Sequence, residues 1–111
     1  MQGEYNDIML SNIETIPGRS ILEHYGIVSG STVRAKNFGK DILAGLRNVI
    51  GGELPEYTEL LRDAREQAVE RMCESAAQRG ANAVVNVRFA TSSVASGAAE
   101  LYVYGTAVRV D

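Results

Sequence analysis

The sequence PEYTELLRDAREQAVERMCESAAQRG, residues 55–80, decides the fold, because it is the longest stretch of the 111-residue chain that keeps one periodicity. Its apolar residues recur at spacings of three and four, which places them on one face of an α-helix. Pro55 stands at the first helical position and Gly80 just beyond the last, where these two residue types are favoured. The pattern predicts one long helix with a single apolar face. That face consists of Tyr57, Leu60, Leu61, Ala64, Ala68, Met72 and Ala76.

The opposite side of this predicted helix is acidic. On a helical wheel at about 100° per residue, six carboxylates fall within an arc of about 80°. This acidic ridge consists of Glu56, Glu59, Asp63, Glu66, Glu70 and Glu74. Carboxylates four residues apart weaken a helix by a few tenths of a kcal/mol each, and a cation or a basic partner would offset that repulsion. The first interpretation is a solvated face, and the alternative is a contact with a basic protein or a hard-cation site. The candidate ligands of such a cation are Glu59, Asp63, Glu66 and Glu70.

A shorter helical pattern lies upstream, in residues 38–51. Its apolar stripe consists of Phe38, Ile42, Leu46 and Val49. Gly51 stands where a glycine caps the end of a helix, and with Gly52 it forms the turn before Pro55. A phosphate-binding loop needs its glycines before a helix rather than after one, and Glu53 adds negative charge here. The two glycines are therefore predicted to form a structural turn that folds one helix back onto the other.

Extended segments flank the two helices. After the long helix, residues 81–94 alternate apolar with polar side chains, which is typical of a half-buried strand. The last segment, residues 101–110, is apolar on both faces, as in a central strand or in a strand whose second face is covered by another subunit. Upstream, glycines interrupt the β-branched residues and predict a bent or bulged strand pair at residues 25–29 and 32–36. The order of elements predicts a single α+β domain over residues 1–111, with two helices on one side of an antiparallel sheet.

Composition limits the partners of the chain. Eleven Lys and Arg against fourteen Asp and Glu give a formal net charge of -3, and no basic cluster is present that would bind nucleic acid. The N-terminal sequence MQGEYNDIML lacks the basic and apolar regions of a signal peptide. No uninterrupted apolar run reaches the ~18 residues that a membrane span needs. We therefore expect a cytoplasmic protein that binds neither nucleic acid nor membrane.

Side chains suited to soft metals or to nucleophilic catalysis are few. The soft donors are Cys73, His24, Met9 and Met72, and they lack the spacing of a zinc site. A Ser-His or Cys-His mechanism would depend wholly on His24, and no nucleophile motif accompanies it. The sequence indicates no catalytic constellation and no soft-metal site within one chain, so we expect a protein that is not an enzyme. A ring of identical chains would be needed to bring several such ligands together.

Arg65 is the polar residue of greatest chemical interest. On the wheel it lies about 80° from Tyr57, at the shoulder of the apolar face. A guanidinium there is expected to be partly buried and to need a carboxylate partner such as Asp41 or Glu53. The first interpretation is an ion pair that fixes the two helices. The second is a ligand contact, for which Asp41, Tyr57 and Arg65 form the candidate site near the glycine turn. If the protein were an enzyme after all, this cluster would position its substrate.

Five motifs follow one another along the chain. They are YGIVSG (residues 25–30), KDILAGLRNVIGGE (40–53), YTELLRDAREQA (57–68), RGANAVVNVRF (79–89) and YGTAV (104–108). Together they closely resemble the motifs of the YbjQ family of small bacterial and archaeal proteins. The resemblance extends from about Asn6 to Val110, and five motifs in the same order are far more specific than any one of them.

The resemblance implies a dodecin-like α+β subunit that assembles as a homopentameric ring. It also implies binding of a metal ion, because the family is described as heavy-metal-binding, and a divalent or heavy metal ion would be the cofactor. The glycines and the asparagine of the matched motifs are expected to be structural. They are Gly51, Gly52, Gly80, Asn82 and Gly105. Flavin binding by analogy with dodecins is not expected, because the chain has no tryptophan to stack on the flavin ring.

Two functional hypotheses fit these observations. The first is a non-enzymatic homopentamer that binds a metal ion or a small ligand at subunit interfaces or in a central channel. The second is a structural or scaffolding ring that binds a protein partner through the acidic ridge.

Overall fold

The computed structural model describes residues 4–5, 7–34, 55–95 and 98–111. Its strands and helix are, in chain order, β1 (Glu4–Tyr5), β2 (Ile8–Leu10), β3 (Ile21–Arg34), α1 (Pro55–Gln78), β4 (Ala83–Ala95) and β5 (Ala98–Val110). The mixed α+β class predicted from the sequence is confirmed. The helix predicted over residues 38–51 lies outside the described residues, and with it Asp41, Gly51 and Gly52.

The long helix α1 has the bounds that its sequence predicts. It begins at Pro55. At its other end, the Ala81 N–H donates to the Ala76 carbonyl at 3.1 Å and the Gly80 N–H donates to the Ala77 carbonyl at 3.0 Å. Gly80 has a φ of 87°, in the left-handed region that glycine adopts without strain. This pair of bonds is a Schellman cap, which ends the helix and turns the chain towards β4.

The strands form one sheet in the order β1-β2-β4-β5-β3. β5 is thus a central strand, as the apolar character of both its faces predicts. The predicted antiparallel sheet is wrong at one pair, because β2 and β4 run parallel. β2 has only three residues, which are too few for an alternation of apolar and polar residues to set its direction. Its backbone hydrogen bonds to neighbouring elements orient it instead. The Met9 N–H donates to Asn82 and the Ser11 N–H donates to Val84, each at 3.0 Å.

β3 is one continuous strand and not the strand pair predicted from its glycines. The predicted bulge is confirmed at Gly26, which has a φ of 91° and lies at a shift in the register of β3 with β5. Gly30 lies directly beneath α1. A β-carbon at this position would collide with the Ala68 carbonyl oxygen and would come within 2.6 Å of the Met72 amide nitrogen. Gly30 therefore lets the helix lie on the strand and does not interrupt it.

The main core lies between α1 and one face of the sheet. Its buried residues are Ile8, Val28, Ala68, Val69, Met72, Cys73, Ala76, Ala81, Val84, Val87, Val103 and Ala107. Val69 and Cys73 belong to it with exposures of 5% and 1%, although the helical wheel places Cys73 at the edge of the acidic ridge. The buried side of α1 is wider than predicted, because Val69 and Cys73 belong to one core with Ile8 of β2 and Val87 of β4.

A smaller core lies on the opposite face of the sheet. It consists of Ile16, Ala83, Val85, Val108 and Val110. Residues 11–20 fold over one end of β4 and β5 and place Ile16 against them. At Asn86, whose φ is 56°, a bulge shifts the register of β4. Because of this shift, Val85 belongs to the small core and Val87 to the main core.

Gly105 and Asn82 fix the bulged region of β4 against β5. A β-carbon on Gly105 would come within 2.6 Å of a methyl carbon of Val84, so the close approach of the two strands needs glycine. The Asn82 side chain donates to the Val110 carbonyl at 3.0 Å and accepts from the Val110 N–H at 2.8 Å. Both residues thus have structural contacts in this fold.

Two arginines of the α1 segment contact the outer strand of the sheet. The Arg79 guanidinium donates to the carbonyls of Tyr25 and Ile27 at 3.0 and 3.1 Å. The Arg71 guanidinium donates to the Ser31 carbonyl at 2.6 Å. Because unpaired carbonyls of an edge strand are templates for another strand, these bonds protect the free edge of β3.

Candidate functional site

A groove of about 890 Å³ runs along the flank of α1 that faces β2 and β4. We call it the α1 groove. It is lined by Tyr5, Leu10, Arg62, Asp63, Arg65, Glu66, Gln67, Val69, Glu70 and Phe89. Three apolar side chains, Leu10, Val69 and Phe89, share this lining with two guanidiniums and three carboxylates. A concave surface that combines apolar area with a few charged groups is the usual form of a small-molecule site.

The α1 groove brings together four of the residues predicted from the sequence. Arg65 lines it with three members of the acidic ridge, Asp63, Glu66 and Glu70. Arg65 is exposed, so the expectation of a partly buried guanidinium is wrong. Arg65 lines the groove instead of a packed interface between the helix and the sheet.

The groove also has a polar group that the sequence pattern does not reveal. Tyr5 is half-buried and its hydroxyl lies near the Glu70 carboxylate. Burial, and then the negative charge of Glu70, raise the pKa of Tyr5. The hydroxyl therefore stays protonated at neutral pH and acts as a donor in the groove. No local pattern in the sequence around β1 signals this contact, because it joins residues 65 positions apart in the chain.

None of the other predicted site residues is among the described lining residues of the α1 groove. Asp41 lies outside the described residues, and so do the side chains of Tyr57 and Glu59. The candidate cluster of Asp41, Tyr57 and Arg65 therefore stays a prediction. Glu74, the remaining described member of the acidic ridge, is exposed but does not line the groove.

The soft donors of the chain do not converge. Cys73 and Met72 are buried in the main core, whereas His24 is exposed on β3 and Met9 is half-buried on β2. Burial raises the pKa of the Cys73 thiol to about 11, so a metal would displace its proton less readily than the proton of an exposed thiol. In the described part of the chain no three His, Cys, Asp or Glu residues are placed to hold a metal ion. The residues of one subunit, as far as they are described, do not fit a soft heavy metal.

A second groove, of about 910 Å³, follows the segment that covers the small core. Its two arginines already have backbone partners. Arg19 donates to the Asp111 carbonyl at 2.6 Å, and Arg88 donates to the carbonyls of Asn12 and Val87 at 2.6 and 2.9 Å. Because these bonds already occupy both guanidiniums, this groove has fewer charged groups available to a ligand than the α1 groove.

The helix that the structure describes is not apolar enough along its length to cross a membrane.

Known proteins resemble this chain in sequence and in fold. Residues 8–111 match the family model YbjQ_1, whose description is "Putative heavy-metal-binding". The chain belongs to the YbjQ family. The match covers all of the described residues except β1 and Asp7, so it includes every groove residue other than Tyr5.

Relatives of this YbjQ-family protein occur in both bacteria and archaea. A UPF0145 protein of Hahella chejuensis is 66% identical over 104 residues, which are 94% of this chain and 100% of that protein. A UPF0145 protein of Archaeoglobus fulgidus is 59% identical, with 94% of this chain and 96% of the relative covered. One from Thermus thermophilus is 57% identical, with 95% and 92% covered. The names of these relatives state no activity.

A solved structure supports the fold alone. The crystal structure of a protein of unknown function from Pediococcus pentosaceus, assigned to the DUF74 family, aligns with a TM-score of 0.62. The alignment covers 94% of this chain and 98% of the other, at 11% sequence identity. At this identity the likeness shows a shared arrangement of strands and helix and carries no site residues.

Proposed function

We propose that this YbjQ-family protein is a cytoplasmic, non-enzymatic homo-oligomer that binds a small ligand in the α1 groove at a subunit boundary. The observation that carries the proposal is the convergence of Arg62, Arg65 and three carboxylates around an apolar floor. The pentameric state comes from the family resemblance. A groove that opens along the side of α1 is available to a neighbouring subunit, whose surface would close it.

The lining of the groove defines the chemistry of the ligand. Guanidiniums bind carboxylate or phosphate groups through paired hydrogen bonds, and carboxylates bind amines. The apolar floor of Leu10, Val69 and Phe89 takes a hydrocarbon or aromatic part. The ligand class is therefore a small zwitterionic molecule with an apolar portion.

A metal ion would require ligands from more than one subunit. The described residues of one chain place no three suitable side chains together, and the donors accessible on α1 are carboxylates. Such donors prefer hard cations such as Mg²⁺, Ca²⁺ or Mn²⁺ over soft heavy metals. Metal binding of this kind would depend on assembly, whereas small-ligand binding would depend on the residues of the groove.

The experiment combines native mass spectrometry and metal analysis of protein purified without an affinity tag. A ring mass with a co-purifying small molecule would support the proposal, and a monomer without ligand at micromolar concentration would contradict it. A screen by calorimetry with zwitterionic small molecules and with divalent cations would then identify the ligand class. Arg65→Met is expected to weaken small-ligand binding at least tenfold, while Arg109→Met, at an exposed arginine of β5 outside the groove, leaves it unchanged.

The second candidate is a scaffolding ring that binds a basic protein through the acidic ridge. The observation that favours it is the exposure of Asp63, Glu66 and Glu74 along one side of α1. Simultaneous reversal of Asp63 and Glu66 to lysine would abolish capture of such a partner, with a double reversal at Glu14 and Glu23 as the control for net charge. Equal capture by the two double variants would refute this candidate.

A further inference from the structure

The charged residues of the α1 groove are separated along its length. Arg62 and Arg65 line the groove on the N-terminal half of α1, and we call them the cationic end. Glu70 lines it farther along the helix, with the Tyr5 hydroxyl of β1 nearby, and we call this pair the acidic end. The two arginines precede Glu70 by eight and five residues, which at the rise of an α-helix is about 8 to 12 Å along its axis. A ligand that contacts both ends must therefore be extended.

The guanidiniums of the cationic end are not occupied by structural bonds. Arg62 and Arg65 are exposed, and neither makes a hydrogen bond or an ion pair with another residue that the structure describes. Other arginines of the chain donate to backbone carbonyls instead. They are Arg19, Arg71, Arg79, Arg88 and Arg109. Because a guanidinium binds a carboxylate through paired hydrogen bonds, the cationic end favours the carboxylate of a ligand.

The remaining carboxylates of the groove do not reverse this polarity. Asp63 lies about 100° round α1 from Arg62 and about 160° from Arg65, so it is on another side of the helix from the second guanidinium. Glu66 lies one turn closer to Glu70. Glu70 is half-buried, whereas Asp63 and Glu66 are exposed, and salt screens a partly buried charge less than an exposed one. We therefore expect Glu70 to bind the amine of a ligand.

We propose that the ligand of the α1 groove is an extended zwitterion that binds with its carboxylate at the cationic end and its amine at the acidic end. Val69 lies between the two ends on α1, and Leu10 and Phe89 line the groove from β2 and β4, so the middle of the ligand is apolar. A tripeptide with free termini spans about 10 Å when extended, and a linear amino acid of about eight carbons has a similar length. The charges of a compact zwitterion such as leucine are only about 3 Å apart, so it reaches one end alone. This inference rests on the proposed function and narrows its ligand class.

The length of the ligand is tested by calorimetric titration of the wild-type protein with Ala-Leu-Ala, ω-aminooctanoate and leucine. We expect at least one extended probe to bind about tenfold or more tightly than leucine, because it adds a second charged contact. Tighter binding of the tripeptide would assign the groove to peptides, and tighter binding of aminooctanoate would assign it to aliphatic amino acids. Leucine that binds as tightly as both extended probes, or extended probes that do not bind, would overturn the inference. If leucine binds and Arg65→Met weakens it, the proposed small-ligand site stands without the extended ligand.

The orientation of the ligand is tested with blocked forms of the better extended probe. Amidation removes its carboxylate and acetylation removes its amine, and each should weaken binding to the wild type about tenfold or more. Arg65→Met should weaken the free probe by a similar factor and the amidated probe hardly at all. Glu70→Gln should do the same for the free and the acetylated probe. Such coupling between a side chain and one end of the ligand shows that the two are in contact.

The controls are Arg109→Met and Glu14→Gln, which make the same chemical changes at exposed residues outside the groove. They should leave the affinities of all the probes unchanged. Because each comparison is between two ligands on one variant, a general folding defect would weaken both and could not produce the expected coupling. Coupling of Arg65→Met to acetylation instead of amidation, or losses that simply add, would overturn the inference.

Discussion

Gly30→Ala is the substitution that tests the packing of α1 on the sheet most directly. A β-carbon on Gly30 would collide with the Ala68 carbonyl oxygen and approach the Met72 amide nitrogen to 2.6 Å and the Arg71 β-carbon to 3.0 Å. Two of these obstacles are backbone atoms in the middle of a helix, which cannot rotate aside as a side chain would. The helix must move away from β3 as a whole, and its buried contacts loosen with it.

The expected cost follows from this geometry. Overpacking of a core costs about 1 to 3 kcal/mol when side chains can adjust, and here only the backbone can. We therefore expect Gly30→Ala to lower the free energy of unfolding by about 3 kcal/mol or more. With an m value of about 1.5 kcal/mol/M for a chain of this size, the urea midpoint would fall by about 2 M.

The assay is urea unfolding followed by far-ultraviolet circular dichroism at one fixed protein concentration, because association adds to the stability of an oligomer. Gly18→Ala is the matched control. Gly18 has a φ of 80°, and a β-carbon added there would have no atom within 4 Å of it. Its substitution therefore costs only backbone strain, about 1 to 2 kcal/mol. If Gly30→Ala is no more destabilising than Gly18→Ala, the close seating of α1 on β3 is refuted.

Three further predictions concern the edge of the sheet, the end of β5 and the buried thiol. The double substitution Arg71→Met with Arg79→Met removes the partners of carbonyls on β3, and these carbonyls can then pair with a strand of another molecule. The double variant should therefore scatter more light on heating than the control Arg62→Met, which is a substitution at an exposed arginine of α1. Asn82→Ala leaves the Val110 N–H and carbonyl without their side-chain partner and should destabilise the fold by about 1 to 3 kcal/mol in the same urea assay. The pKa of Cys73 is raised from 9.0 to about 11, so the folded state holds this proton more tightly than the unfolded state. Stability should therefore fall as pH rises from about 9 to 11, and Cys73→Ala should show a smaller fall. An equal fall in both proteins would contradict the burial of the thiol.

The parts of the fold that the sequence predicts are those with local causes. The bounds of α1 follow from Pro55, from the apolar spacing and from Gly80, all of which act within a turn or two of the helix. The parallel pairing of β2 could not be predicted, because three residues carry too little alternation to orient a strand. The prediction of a strand break at Gly30 is wrong for a related reason. The role of this glycine is contact with a helix 38 residues away in sequence.

The same distinction applies to the α1 groove. Helical spacing alone groups Asp63, Glu66 and Glu70 on one side of α1, and it places Arg65 towards the sheet. It does not show that the sheet leaves a groove beneath Arg65, nor that Tyr5 reaches Glu70 from the start of the chain. Both facts depend on the pairing of β1 and β2 at the edge of β4. That pairing is the part of the topology without a sequence signal.

The chemistry of the donors bears on the heavy-metal description of the family. Soft metals select thiolate and imidazole, and they bind the deprotonated thiol. In this chain the only thiol, Cys73, is buried with a pKa of about 11. The only imidazole, His24, is exposed on β3, a different element from the helix that carries Cys73. A soft metal bound at one thiol would have to enter the main core and remove a proton that burial retains. The accessible carboxylates of Asp63, Glu66 and Glu70 present no such barrier, and they favour a hard cation or the amine of an organic ligand. A calorimetric titration that shows tight binding of Zn²⁺ or Cu²⁺ by wild-type protein, lost in Cys73→Ala, would refute this reasoning.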